Sequence, residues 1–115
     1  VKIVKKIEAV IRPEKLDDVK AALEKAGYPG LMLTRIEGHG QQKGIMQQFR
    51  GRGYKVELLA KFRVEVVCSD GECGRLIAAI SEAARTGEVG DGKIFVSDIS
   101  DVIRIRTGES GETAV

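Results

Sequence analysis

Phe62-Arg-Val-Glu-Val-Val-Cys-Ser-Asp-Gly-Glu-Cys-Gly-Arg-Leu-Ile-Ala-Ala-Ile80 decides the fold, because one hydrophobic period gives way to another inside it. Phe62, Val64, Val66 and Cys68 alternate with Arg63, Glu65 and Val67, the pattern of a half-buried strand. Leu76, Ile77, Ile80, Ala83 and Ala84 then recur at helical spacing up to Gly87. Ser69 and Glu72 stand at the junction with capping-box spacing, so a serine cap on the helix amides is expected. Downstream, Lys93 to Asp98 reads as a strand and Val102 to Arg106 as a short one.

The same grammar precedes this stretch. Ile7, Ala9 and Ile11 alternate with Lys6, Glu8 and Arg12; Pro13 ends the strand and suits a first helical turn, with Glu14 beside its positive end. Leu16, Val19, Leu23 and Ala26 follow at helical spacing, Gly27 is the stop, and Gly30 leads into a strand from Leu31 to Glu37. Two strand–helix–strand units in tandem predict an α/β (α+β) chain, a ferredoxin-like double βαβ sandwich with both helices on one sheet face. Val10 and Val67 lie on the opposite, charged face, so that face is expected to be partly covered, most economically by further copies of the chain.

At 115 residues, one domain spanning 1–115 is expected, with a loose polar tail over about 107–115. A net charge of +2 is too small to argue for nucleic acid. No segment has the apolar length of a membrane span, and lysines interrupt the first residues where a signal peptide would be continuous; a cytoplasmic location is the expectation. Cys68 and Cys73 make neither a disulfide framework nor a metal site and are expected as reduced thiols.

A stretch of about 38–60 fits no plain domain. Gly38, Gly40, Gly44, Gly51 and Gly53 punctuate it, and it far exceeds an ordinary connection of about 4–6 residues. From Gly38 to Val56 it has no acidic residue, while Lys43, Arg50, Arg52 and Lys55 are basic and Ile45, Met46 and Phe49 are apolar. That composition suits a docking element better than an inert linker.

Gly87-Glu-Val-Gly-Asp-Gly-Lys93 meets half of a phosphate-loop pattern. Ile94 stands where Ser or Thr would hold magnesium, and a strand follows rather than a helix, so a Walker site is rejected. Glycines still admit an anion to backbone amides, and Lys93 supplies charge; a plain glycine turn is the other reading. Arg104 and Arg106 would share one side of a strand and suit phosphate oxygens, though alone they read as solvated edge-strand arginines. His39, the single histidine, reads as a loop side chain. No nucleophile–base set or carboxylate pair emerges, so catalysis is not expected.

Taken together these blocks resemble the PII nitrogen regulatory family (the GlnB/GlnK type). The likeness runs through Ile7-Glu-Ala-Val-Ile-Arg-Pro13, Lys15-Leu-Asp-Asp-Val19, Gly38-His-Gly-Gln-Gln-Lys-Gly44, Arg50-Gly51, Tyr54, Thr86-Gly-Glu-Val-Gly-Asp-Gly-Lys-Ile-Phe95 and Val102-Ile-Arg-Ile-Arg-Thr-Gly-Glu109. The resemblance implies a homotrimer with ATP or ADP in clefts between subunits. Gly90, Asp91, Gly92 and Lys93 would cradle the phosphates, and Arg104 and Arg106 would reach them from the adjacent subunit. Gly38, His39, Gly40, Gln41 and Gln42 would line the loop side, Glu65 and Val67 the strand side, with Met32 by the base and Glu65 orienting Lys93. It further implies 2-oxoglutarate as effector, held by Gln41, Gln42, Lys43, Gly44 and Lys61, with Mg on Gln42 joining it to ATP.

The long loop corresponds to the family's T-loop, and the ammonium-transporter-regulating branch is favoured. Arg50 then matches the arginine that plugs the transporter's pore mouth, with Ile45, Met46 and Phe49 docking beside it, and the protein would be recruited to the inner face of the membrane. Gln41 stands where many members carry Arg. Tyr54 occupies the place of the uridylylated tyrosine, but Phe49-Arg-Gly-Arg-Gly53 departs from the usual run before it, which argues against that modification. Arg52 replaces a serine that some members phosphorylate. Rival readings are a PII regulator of a nitrogen-metabolism enzyme, a ligand-sensing enzyme subunit, and a ferredoxin-like RNA-binding domain. The last lacks aromatics: there are three Phe and two Tyr, and Phe62 and Phe95 are expected in the core.

Overall fold

A computed structural model describes residues 4–41 and 56–115. Strand β1 spans Val4–Ile11, and a 3-10 turn at Pro13–Lys15 leads into helix α1, Leu16–Lys25. Strands β2 (Met32–Gln41) and β3 (Val56–Ser69) form a hairpin; helix α2 (Asp70–Ala84) and strand β4 (Lys93–Ile99) follow. The sheet order is β2-β3-β1-β4, and every neighbouring pair is antiparallel. Each helix therefore joins two strands with a third between them, the split βαβ arrangement of the ferredoxin-like fold.

The alternation in sequence becomes the core. Ile7, Ala9 and Ile11 of β1 and Val64, Val66 and Cys68 of β3 are buried against Val19 and Leu23 of α1 and Cys73, Leu76, Ile80 and Ala84 of α2. Burying a side chain such as Leu76 or Ile80 contributes about 1.5–3 kcal/mol. Tyr28 N donates to Leu23 O at 2.8 Å and Gly27 N to Glu24 O at 3.0 Å, closing α1 with a Schellman turn.

Several expectations need correcting. The β2–β3 ladder runs out to Gln41 opposite Val56, so the paired strands take in both ends of the segment expected as loop over about 38–60. The Ser69 side chain makes no cap bond at the start of α2; Asp70 and Glu72 in the first turn supply only charge there. Val102 to Arg106 is no strand: Ile103 bridges Ser110 in isolation, because the chain turns back on itself before it reaches a sheet edge. The tail is not loose, since Gly111–Ala114 forms a 3-10 turn and Ala114 is buried. Phe95 is 54% exposed rather than in the core, because its place opposite Glu8 sets it on the sheet face away from the helices.

Candidate functional site

On the helix-free face, strand register lines residues up in rows. Thr34, Arg63, Val10 and Lys93 make one row, and Met32, Glu65, Glu8 and Phe95 the next. Lys61 opposite Ile36 lies one row further out, at the end of the sheet where the 85–92 connection arrives.

That connection is fastened by one carboxylate. Asp91 turns back into its own loop: Oδ2 accepts from the Thr86 and Gly87 amides, each at 2.9 Å. Its Oδ1 accepts from the Thr86 hydroxyl and, at 3.0 Å, from Arg12 Nε. The Thr86 hydroxyl and amide, joined by the Gly87 amide and Arg12, hold the Asp91 carboxyl far below the usual carboxylate range against the opposing effect of burial. Two cations grip the adjacent carbonyls. Arg12 Nη2 donates to Val89 O at 2.9 Å, and Lys61 Nζ donates to Gly90 O. Burial, then repulsion from Arg12, pushes the Lys61 ammonium below its ordinary value.

Gly90 and Gly92 flank Asp91 at φ +104° and +100°. A methyl on Gly92 would lie 1.8 Å from Val10 O, so the turn presses its backbone onto β1 in a way no other residue permits. Lys93 is exposed at the start of β4, and no ion pair involves it among the described residues. The result is a rigid turn of left-handed glycines next to a free ammonium. Its own carboxylate is already neutralised, so it would not repel an anion arriving on the amides.

The expected site residues are only partly assembled. Gly90, Asp91, Gly92, Lys93 and Lys61 come together, with Asp91 as the turn's fastener, its side chain bound to Thr86, Gly87 and Arg12. Glu65 does not orient Lys93: it lies 3.3 Å from Lys6 Nζ and 3.1 Å from Arg63 Nε, two strands or about 9–10 Å across from β4. Val67 sits opposite Lys6 and is partly buried, while Met32 opens β2 at 52% exposure. Gly38, His39, Gly40 and Gln41 continue β2, paired with Leu59, Leu58, Glu57 and Val56. Gln42, Lys43, Gly44, Ile45, Met46, Phe49, Arg50 and Tyr54 lie outside the described residues.

Arg104 and Arg106 are exposed and follow the far end of β4, roughly 20 Å along the strand from Lys93. Arg104 Nη1 lies 3.9 Å from Glu109 Oε1, and among the described residues no hydrogen bond or ion pair joins it to the glycine turn. Sequence reasoning missed Arg12 and Thr86 as builders of the site. Thr86 and Asp91, five apart in a glycine-rich stretch, carried a local signal for a side-chain-closed loop; Arg12, 79 positions from Asp91, carried none.

A family model described as nitrogen regulatory protein P-II matches residues 4–109. The chain belongs to the P-II family. P-II 1 of Methanothermobacter thermautotrophicus is 53% identical over 114 residues, covering 99% of both chains. The P-II protein of Mesorhizobium japonicum is 53% identical over 111 residues, 96% of this chain and 99% of its own. The crystal structure of Arabidopsis thaliana PII bound to citrate superposes with a TM-score of 0.81 at 39% identity, over 98% of this chain and 92% of that one. This P-II chain is thus a nitrogen regulatory signal protein with the family's ferredoxin-like fold. Among the described residues no helix is long and apolar enough to cross a membrane, and no cluster of His, Cys, Asp or Glu is suited to a metal ion.

Proposed function

We propose that this P-II protein is a cytoplasmic, non-enzymatic sensor, active as a homotrimer, that takes the phosphates of ATP or ADP on the Gly90–Lys93 turn. The observation that carries this reading is the turn itself, with left-handed Gly90 and Gly92, a fastened Asp91 carboxylate and a Lys93 that is exposed and makes no ion pair among the described residues. Arg104 and Arg106 complete the site from a neighbouring copy, which accounts for their distance from Lys93 within one chain. Exposed apolar groups agree with assembly: Ile103 is 63% exposed, Ile105 fully so, and Phe95 more than half.

Lys61, already at the turn, receives the distal carboxylate of 2-oxoglutarate, and Gln42 contributes to Mg held between that effector and ATP. The relative from Arabidopsis was crystallised with citrate, itself a carboxylate anion. The T-loop reports ligand state by entering the mouth of an ammonium transporter, with Arg50 as plug and Ile45, Met46 and Phe49 alongside, recruiting the protein to the membrane. An RNA-binding reading gains one exposed ring in Phe95. The rest of its row is Glu8, Glu65 and Met32, with no second aromatic on which a base could stack.

Calorimetric titration of 2-oxoglutarate with and without Mg–ATP tests the ligands and their coupling, which must be reciprocal. Binding only in the presence of Mg–ATP supports the proposal; indifference to the nucleotide contradicts it. Arg50→Ala should retain nucleotide and lose transporter inhibition. Unchanged inhibition would turn the reading toward an enzyme target.

A further inference from the structure

Past β4 the chain forms a closed hairpin without a sheet neighbour. Ile103 bridges Ser110, Arg104 N donates to Glu109 O at 2.8 Å, and Gly108 N donates back to Arg104 O at 2.8 Å. Ile105 at the tip is fully exposed, so no core contact fixes the end that carries Arg106.

Its base is held by Asp101. Oδ1 accepts from the Val102 amide at 2.8 Å and the Gly111 amide at 3.1 Å, one on each limb. Gly111 N also reaches Val102 O at 2.9 Å. The Asp101 carboxylate oxygen therefore reinforces that backbone bond by joining the entering chain to the leaving one, and the segment beyond is anchored by buried Ala114.

We propose that Asp101 is a positioning residue for nucleotide phosphates: by closing this hairpin it presents Arg104 and Arg106 in a fixed pose to the neighbouring copy's turn. The inference rests on the nucleotide reading above. A hairpin open at its base would have to be ordered when ligand arrives, whereas a closed one has already lost that freedom. The closure uses an acceptor oxygen rather than a negative charge, since both partners are backbone amides. Asn should therefore substitute for Asp, and Ala should not.

The test measures ATP by calorimetry, and adenosine by competition, against wild type, Asp101→Ala and Asp101→Asn. Asp101→Ala should weaken ATP by about three- to tenfold, the effect of one lost hydrogen bond, and leave adenosine unchanged. Asp101→Asn should stay within about twofold of wild type. Equal ATP affinity in Asp101→Ala, equal losses for ATP and adenosine, or failure of Asn to rescue would each overturn the proposal. Hydrogen exchange provides a reading independent of nucleotide. The Gly111 amide should be protected in wild type and exchange faster in Asp101→Ala; rapid exchange in wild type refutes the closure even where a variant fails to fold. Absence of ATP binding to wild type with Gly111 protected would instead remove the nucleotide reading and with it the role assigned to Asp101.

Discussion

In Gly92→Ala the new methyl would sit 1.8 Å from Val10 O and 2.8 Å from Val10 C, at a residue with φ +100°. Two costs follow. A side chain in that backbone region costs about 1–3 kcal/mol, and forcing β1 and β4 apart to admit the methyl costs about 1–3 kcal/mol more. The sum of about 2–6 kcal/mol compares with a total stability of about 5–15 kcal/mol for a domain of this kind. Gly87→Ala is the internal control: φ is +90°, but nothing lies within 4 Å of the added atom, so only the first cost of about 1–3 kcal/mol applies. Equilibrium urea unfolding followed by circular dichroism measures both, at several protein concentrations because assembly shifts the midpoint. Gly92→Ala should be the less stable of the two by more than about 1 kcal/mol and should bind ATP more weakly, since Lys93 moves with the turn. Equal destabilisation would show that the close approach to Val10 costs nothing and would refute this account of the turn.

Three further outcomes follow from the same contacts. The Asp91 carboxyl, followed by carbon NMR, should remain ionised at about pH 3, where an ordinary Asp is mostly protonated. Its folded pKa lies below the ordinary 3.8, so its contribution to stability is present above 3.8 and disappears only as pH falls through the lower value; Thr86→Val should raise the midpoint, and an ordinary midpoint in wild type would contradict the network. Burial, then the neighbouring Cys73, pushes the Cys68 thiol up to about 11. At pH 8 about one part in a thousand is thiolate, so alkylation under native conditions should be far slower than for the unfolded chain, and labelling at equal rates would place Cys68 outside the core. Leu76→Ala, at a fully buried position, should cost about 2–5 kcal/mol in urea unfolding.

The two strand–helix units were legible because burial on one sheet face leaves a period-two trace: Ile7, Ala9 and Ile11, then Val64, Val66 and Cys68, are the residues the core contains. Failures came where the local residue pattern does not decide the environment. Phe95 is apolar and follows the strand rhythm, yet faces away from the helices, so its hydrophobicity alone misplaced it. Arg104 and Arg106 alternate with isoleucines as a strand would, but Asp101 and three backbone bonds close them into a hairpin first. Within the site, glycine spacing announced the turn. The inward Asp91 and its clamp by Arg12 depend on β1 reaching the 85–92 connection in space, which local sequence does not encode.

The central claim is that a nucleotide's phosphates bridge two copies, the glycine turn and Lys93 from one and Arg104 with Arg106 from the other. ATP titration of trimers refolded from an equal mixture of Lys93→Ala and Arg104→Ala chains tests it most directly. Each variant alone should bind poorly, while random mixing pairs an intact turn with intact arginines at about a quarter of the interfaces and should restore tight binding there. Tight binding by either variant alone, or no recovery in verified mixed trimers, would contradict the account.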